Sequence, residues 1–297
     1  MPPRFAVISD SSCDLSPEEA DRSKVTLVPF YVSFDGVTYR REGVEMAIRD
    51  FYEEMVRCPG VFPKTSMPSM EDYLGAFRPL TEAGTPALCL CISTKFSGSY
   101  GCAVTAAGLL REEYPQWELR VMDSRLATAL QGELVREAVR LRDEGCGLEE
   151  ACRRLEAVIP TARILFTVGS MDYLRTGGRI GKVASVVTGA LGVKPIIVLK
   201  EGEIFPDGIF RSREKGKARL VDLTRRYLLS CGDDPAAYRF ITGYGYDYRE
   251  AQIFRDDMLA MLGELCGLTS LGIAQIGATI GVHTGPHPLG VGLLKRA

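Results

Sequence analysis

The stretch ALCLCISTKFSGSYGCAVTAAGLL, residues 87–110, decides the fold. Residues 87–92 form an apolar run of strand length. Residues 93–100 are small and hydroxylated, broken by Gly98. From about Ser99 onward Ala, Val and Leu recur at helical spacing. A strand, a loop and a helix in that order put the loop at the carboxyl end of a strand and the amino end of a helix. There, unpaired backbone N–H groups and the positive end of the helix dipole favour an anion. Ser93, Thr94, Ser97 and Ser99 add hydroxyl donors, and Gly98 lets a ligand approach the backbone closely. The same hydroxyls also suit helix caps and turns.

The pattern repeats outward from this stretch. Residues 5–8 read as a strand ending in Ser9-Asp10-Ser11-Ser12. A helix follows from Leu15, with Ser16 and Pro17 as its start signal. Residues 25–34 read as one strand, bent or interrupted at Pro29. Asp35-Gly36 is a hairpin turn before a strand over 37–39. After a helix over 45–55 come Pro63 and Pro68, bracketing Thr65 and Ser66 in a stiffened loop. Ser69 caps a helix over 69–77, with Asp72 completing a box-like start. A strand over 118–122 ends in Asp123-Ser124, and helices span 131–144 and 148–158. Strand and helix in alternation predict a parallel sheet covered by helices, with ligands bound beyond the carboxyl ends of the strands.

Beyond Pro160 the texture changes. A strand over 163–168 precedes a basic, glycine-rich loop over 175–182 and a small apolar segment over 184–191. Residues 194–200 and 203–205 read as a hairpin. Helices over 215–229 and 248–262 flank a strand over 239–244. Strands over 275–281 and 289–294 enclose the loop that holds His283, Thr284 and His287. The second half is expected to form a mixed sheet with helices on one face. The fold class is therefore α/β in two domains: a parallel-sheet, Rossmann-like domain over 1–160 and a mixed-sheet domain over 161–297.

Composition narrows the function. The 297 residues carry 36 basic and 38 acidic side chains, a formal charge of -2. That balance gives no general attraction to nucleic acid or acidic membranes. The opening MPPRFAVISD lacks a signal-peptide pattern, and no apolar span is long enough for a bilayer, so a soluble, cytoplasmic protein is expected. The nine cysteines include no CxxC pair, and His283 and His287 are the only histidines. No metal site or cofactor is expected, and the thiols read as reduced. Residues 177–182 resemble a phosphate loop but lack a residue between the glycines, and Val183 stands where magnesium would need a hydroxyl. A nucleotide-triphosphate site is rejected on that ground. No GxSxG elbow is present.

Five ordered motifs remain: Lys64-Thr65-Ser66-x-Pro68-Ser69, Ser97-Gly98-Ser99-Tyr100, Asp123-Ser124, Tyr173-Leu174-x-x-Gly177-Gly178-Arg179 and His283-Thr284-Gly285-Pro286. Together, and from Ile8-Ser9-Asp10-Ser11 to Gly290, they resemble the DegV family, whose studied members include the fatty-acid-binding (FakB) subunits of bacterial fatty-acid kinase. His287 departs from the glycine typical at that place. The resemblance implies a non-catalytic lipid carrier serving phospholipid synthesis. It would hold a long-chain fatty acid in a tunnel at or near the domain interface and present the carboxylate to a separate ATP-dependent kinase subunit. By position, Thr65, Ser97, Gly98 and His283 would meet the carboxylate, with Ser66, Arg179 and Thr284 nearby. Arg211 and Arg213 would face the kinase. The alternatives are a transferase or hydrolase using Ser97 as nucleophile, and a lipid sensor without a kinase partner.

Overall fold

A computed structural model of the chain describes residues 4–186 and 193–297. Strands β1 (Ala6–Asp10) and β2 (Val25–Val28) open the first half. A small antiparallel sheet follows, built from β3 (Tyr31–Ser33), β4 (Arg40–Arg41) and β5 (Lys64–Ser66) in the order β4-β3-β5. Strands β6 (Ala87–Cys91) and β7 (Leu119–Asp123) then complete a parallel sheet in the order β2-β1-β6-β7. All five residues of β6 are buried, as expected of a central parallel strand covered on both faces. Leu88 and Leu90 point to one core. Ala87, Cys89 and Cys91 point to another, where Ala103, Ala106 and Leu110 of the helix Ser99–Glu113 meet them.

The second half forms a mixed sheet of β8 (Arg163–Thr167), β9 (Lys194–Lys200), β10 (Glu203–Phe210), β11 (Tyr238–Tyr244), β12 (Gly272–Gln275) and β13 (Leu289–Lys295). Its order is β10-β9-β8-β13-β11-β12, antiparallel except for the β11–β12 pair. Helices Arg213–Ser230 and Tyr248–Cys266 cover one face. The other face packs on the helix Thr128–Asp143 of the first half, so helices lie on both faces and not on one. That helix touches β1 as well as β11 and β13 and is buried on nearly every side. The largest apolar cluster accordingly crosses residue 160, uniting Val7, Leu90 and Leu134 with Ile164, Leu199 and Ile241.

Three local expectations are corrected, and of the two forms offered for residues 25–34 the structure takes the interrupted one. Pro29 ends the first pairing, having no N–H to donate, so residues 25–34 divide between two sheets. The Asp35 side chain accepts N–H groups from Val37 and Thr38 at 2.8 and 2.7 Å. The turn is therefore longer than two residues, and its return strand is β4, not 37–39. Strand β10 runs on to Phe210 past an irregularity between Pro206 and Ile209. Residues 275–281 are not a strand: β12 ends at Gln275 and the helix Ala278–Thr284 follows, carrying His283 in its last turn. Its start is capped from far away in the chain. Buried Glu42 accepts the Thr279 N–H at 2.8 Å and the Thr279 hydroxyl at 2.7 Å. Gly277 is required there, because a Cβ would lie 2.6 Å from Asp14 Oδ1 and 2.7 Å from Glu42 Oε1. Of the small apolar segment over 184–191, residues 187–191 lie outside the described residues.

Among the described residues no helix is long and apolar enough to cross a membrane. No group of three or more His, Cys, Asp and Glu side chains is placed to hold a metal ion.

Candidate ligand cavity

Between the two sheets and the helix Thr128–Asp143 lies a cavity of about 1140 Å³, counted out to its mouth. Leu130, Ile164, Phe166, Leu199, Ile241 and Ile280 supply much of its wall. Strand β13 keeps the space open. Its residues alternate, with Leu289, Val291 and Leu293 in the outer core and Gly290 and Gly292 toward the cavity. A Cβ on Gly292 would already lie 3.1 Å from Leu130 Cβ.

The polar groups on the wall gather in one cluster. Thr65 comes from β5, Ser97 and Gly98 from the loop after β6, Arg179 from the glycine-rich loop, and His283 from the short helix. The Thr65 hydroxyl and His283 Nε2 are 3.4 Å apart. Gly177 makes room for the imidazole, since a Cβ there would fall 2.1 Å from His283 Nδ1. Arg179 donates through Nε to the Phe96 carbonyl at 3.1 Å and through Nη1 to the Gly177 carbonyl at 2.7 Å. Thr128 and Thr279 also line the cavity, but their hydroxyls are engaged by Asp14 and Glu42.

The hydroxyls of the residue 93–99 loop divide into two roles. The Ser93 hydroxyl donates to the Gly202 carbonyl at 2.8 Å, joining the loop to the β9–β10 turn. Thr94 donates to Asp123 at 2.7 Å. Ser99 donates to Asp10 at 2.8 Å and lies 2.6 Å from the Tyr73 hydroxyl. These three are structural. Only Ser97 lines the cavity, its oxygen accepting a single 3.2 Å bond from the Ser99 N–H. Gly98, at the N-cap of the helix Ser99–Glu113, brings the unpaired N–H groups of the first turn to the same place.

The remaining predicted residues are placed differently. Ser66 points away from the cavity, as strand alternation beside Thr65 requires, and its hydroxyl lies against the Met67 carbonyl. Thr284 lines the cavity but donates to the Ile280 carbonyl at 3.1 Å. Arg213 is committed to Glu250 at 2.7 Å and to the His287 carbonyl at 3.0 Å, whereas Arg211 is exposed. Two contributors were passed over in the sequence. Met67 packs its sulfur against Gly98, and Asp10 fixes Ser99. Asp10 lay in a quoted motif, and its burial beside a second polar loop was the missing signal.

Electrostatics set the state of His283. Burial, and then the Arg179 charge, push its pKa down to about 4. It is therefore neutral at physiological pH and offers one N–H and one lone pair. The unfolded chain binds that proton more readily, so this group costs stability as pH falls from about 6.5 toward its folded value. An NMR titration of the imidazole C–H should place its midpoint near 4, and Arg179→Ala should raise it. A midpoint above 6 would refute the assignment.

The chain resembles known proteins over nearly its whole length. A family model described as "Uncharacterised protein, DegV family" matches residues 4–296. The chain belongs to the DegV family. A DegV domain-containing protein of Deinococcus radiodurans is 34% identical over 289 residues, covering 97% of this chain and 98% of that protein. A stearic-acid-binding protein from Eubacterium ventriosum has a crystal structure of TM-score 0.92 at 42% identity, with 98% of each chain covered. A fatty-acid-binding DegV protein from Thermus thermophilus gives TM-score 0.87 at 29% identity, over 98% of this chain and 99% of that one.

Proposed function

We propose that the chain binds a long-chain fatty acid, tail in the cavity and carboxylate at the Thr65–Ser97–His283 cluster, and presents that carboxylate to a separate kinase. The observation that carries the reading is the pairing of a largely apolar-walled cavity with a cluster of donors that have few internal acceptors among the described residues. The fatty-acid binding of these two similar proteins supports the same ligand class. Burying the roughly fifteen CH₂ and CH₃ groups of a sixteen-carbon chain is worth roughly 10 kcal/mol at ~0.8 kcal/mol each. Association and ordering remove a large part of it. Selectivity then falls to the head group, where each hydrogen bond to a charged oxygen is worth about 1.5–3 kcal/mol.

A hydrolase or transferase using Ser97 is less well supported. A serine nucleophile needs a base within hydrogen-bond reach. The His283 Nε2 contact is with Thr65, and among the described residues its buried Nδ1 has no partner to orient the ring. In the proposed hand-over, the carboxylate oxygen bonds to the terminal phosphorus of ATP held by the kinase. The bond to the leaving diphosphate breaks, and an acyl phosphate results.

Mass spectrometry of lipid extracted from the purified protein should recover a long-chain fatty acid. Thr65→Ala with Ser97→Ala should lower its retention by one to two orders of magnitude. An emptied protein that takes up no fatty acid would overturn the reading. Arg211→Glu should weaken acyl-phosphate formation by added kinase subunit without changing lipid retention, and equal loss of both would remove Arg211 from the docking surface.

A further inference from the structure

Away from the polar cluster, two carboxyl groups converge on the start of the helix that carries His283. Asp14 Oδ1 and Glu42 Oε1 stand 2.6 and 2.7 Å from one point, where a Cβ on Gly277 would lie. Glu42 is well supplied with donors: the Thr279 N–H, the Thr279 hydroxyl and the Ser11 hydroxyl. Asp14 accepts the Thr128 hydroxyl through Oδ2. Asp14 is partly exposed as a residue, but its Oδ1 is buried and has no hydrogen-bond partner among the described residues. The Gly277 N–H lies near Asp14 outside bonding geometry. Asp14 and Thr128 both have a φ of 55°, a conformation that a β-branched residue keeps only where its surroundings fix it. Two like charges so close and so poorly solvated cannot both ionise cheaply. Burial pushes both carboxyls above their ordinary range, and the Glu42 charge pushes Asp14 further. The other ionisable groups about the pair are Arg136 on the helix Thr128–Asp143, Tyr52 on the helix Ile48–Arg57, and Cys13, which also feels Asp10. Arg136 is engaged by Glu19 and Glu133, and burial keeps Tyr52 and Cys13 neutral.

We propose that Asp14 is a positioning residue for the ligand cavity: it and Glu42 hold one proton between them, and that proton joins the start of the helix Ala278–Thr284 to the start of the helix Thr128–Asp143. The proton sits on Asp14 Oδ1, the oxygen without a donor, and Glu42 Oε1 accepts it. Glu42 stays ionised, because three donors favour its charged form. Thr128 and Thr279 line the cavity, and His283 stands in the last turn of the anchored helix. Folding tightens the hold on this proton, so its contribution is present at acid pH and is lost as pH rises through the folded pKa. Two charges then oppose each other at both helix starts, the His283 ring shifts, and lipid retention falls. The fall in retention rests on the fatty-acid reading above, whereas the shared proton and the shift of His283 do not.

The test uses delipidated full-length protein, hexadecanoate as the probe, and the imidazole C–H signals of His283 as a second readout. Wild-type affinity for hexadecanoate should fall about tenfold between about pH 6 and about pH 9. Asn at position 14 can donate to Glu42 and accept from Thr128 at every pH. Asp14→Asn should therefore bind about as well as the wild type near pH 6 and lose less than about threefold by pH 9. Its His283 signals should stay fixed over the range in which those of the wild type move. Asp14→Ala should bind about tenfold more weakly throughout, and so should Glu42→Gln, whose amide nitrogen displaces an acceptor of Thr279. An equal alkaline decline in wild type and Asp14→Asn would overturn the shared proton. So would a loss near pH 6 as large in Asp14→Asn as in Asp14→Ala. Recovery of alkaline binding with millimolar Na⁺, K⁺, Mg²⁺ or Ca²⁺ would put a cation in the proton's place and overturn it too. Normal binding by Glu42→Gln with a loss in Asp14→Asn would move the proton to Glu42 and remove the role of Asp14. If hexadecanoate binds at no pH while the His283 signals follow the expected pattern, the fatty-acid reading falls and the shared proton stands. If the wild-type His283 signals ignore pH over that range, the shared proton falls whatever the lipid does.

Discussion

Gly292→Leu should cost an eighteen-carbon fatty acid about a thousandfold in affinity while a ten-carbon one changes less than tenfold. Strand β13 leaves the loop that follows His283 and runs away from the polar cluster, so Gly292 lies about 7 Å further along than Gly290. Both glycines face the cavity. At Gly292 a Cβ would stand 3.1 and 3.2 Å from Leu130 Cβ and Cδ1 and 3.3 Å from Ile241 Cγ2. A leucine side chain has no course there except into the space reserved for the tail. If it excludes six methylenes from burial, about 5 kcal/mol is lost at ~0.8 kcal/mol each, which is more than a thousandfold. The ten-carbon chain ends short of the obstruction and keeps its head-group bonds. Overpacking costs about 1–3 kcal/mol of folding stability, and Gly292→Ala, which demands less of its neighbours, controls for it. Equal loss of long and short chains would show that residue 292 does not mark depth along the tail. Gly290 is the wrong place for the same experiment: a Cβ there would meet the Leu165 carbonyl at 2.6 Å and disturb the sheet itself.

The contrast between Gly292 and Thr279 explains what the sequence disclosed. Period and punctuation revealed the alternation of strand and helix up to residue 158, helped by two helices there that carry their own start signal. Ser16 accepts from the Glu19 N–H, and Ser69 and Asp72 form a reciprocal capping box. The helix Ala278–Thr284 carries no such signal. Its β-branched, glycine-flanked sequence reads as strand, and the cap comes from Glu42, 237 residues away from Thr279. His283 lies 3.4 Å from Thr65, with which the resemblance grouped it, yet its setting was misread for that reason. The cavity wall was illegible for another reason. Leu130 and Ile241 lie in the same apolar cluster as Leu134 and Leu199, and nothing in their spacing tells a residue facing another side chain from one facing empty space. The hydroxyl-rich loop was legible as a site only in aggregate. Its Ser93, Thr94 and Ser99 serve the fold, and only the family resemblance, through Ser97-Gly98-Ser99-Tyr100, set Ser97 apart from them.

Asp10→Ala should destabilise the protein by about 4–5 kcal/mol and loosen the lipid head-group site at the same time. Asp10 is fully buried at the carboxyl end of β1, and its two oxygens gather four donors from four parts of the chain. One oxygen accepts the Ile92 N–H at 3.0 Å and the Ser99 hydroxyl at 2.8 Å. The other accepts the Ser12 hydroxyl at 2.6 Å and the Gln131 amide at 2.9 Å. Alanine leaves these donors buried without their acceptor at about 1–3 kcal/mol each, less than additively because they share one void. Asp10→Asn keeps one acceptor oxygen and should lose about half as much. The pH dependence has a definite sign. Burial raises the Asp10 pKa above the ordinary carboxylate range, opposed by its hydrogen bonds. The folded chain therefore holds that proton more tightly than the unfolded one. The contribution of Asp10 is greatest at acid pH and declines as pH rises through the folded pKa. The deficit of Asp10→Ala relative to wild type, read from urea melts, should accordingly be largest near pH 4 and narrow toward pH 8. A deficit that widens with pH would mean that the carboxylate is stabilised by its hydrogen bonds more than it is penalised by burial. The functional consequence runs through Ser99, which opens the helix whose first turn meets the carboxylate in the proposed binding mode. Released from Asp10, the Ser99 hydroxyl keeps its Tyr73 contact but loses its acceptor, and lipid retention should fall several-fold even where the protein remains folded.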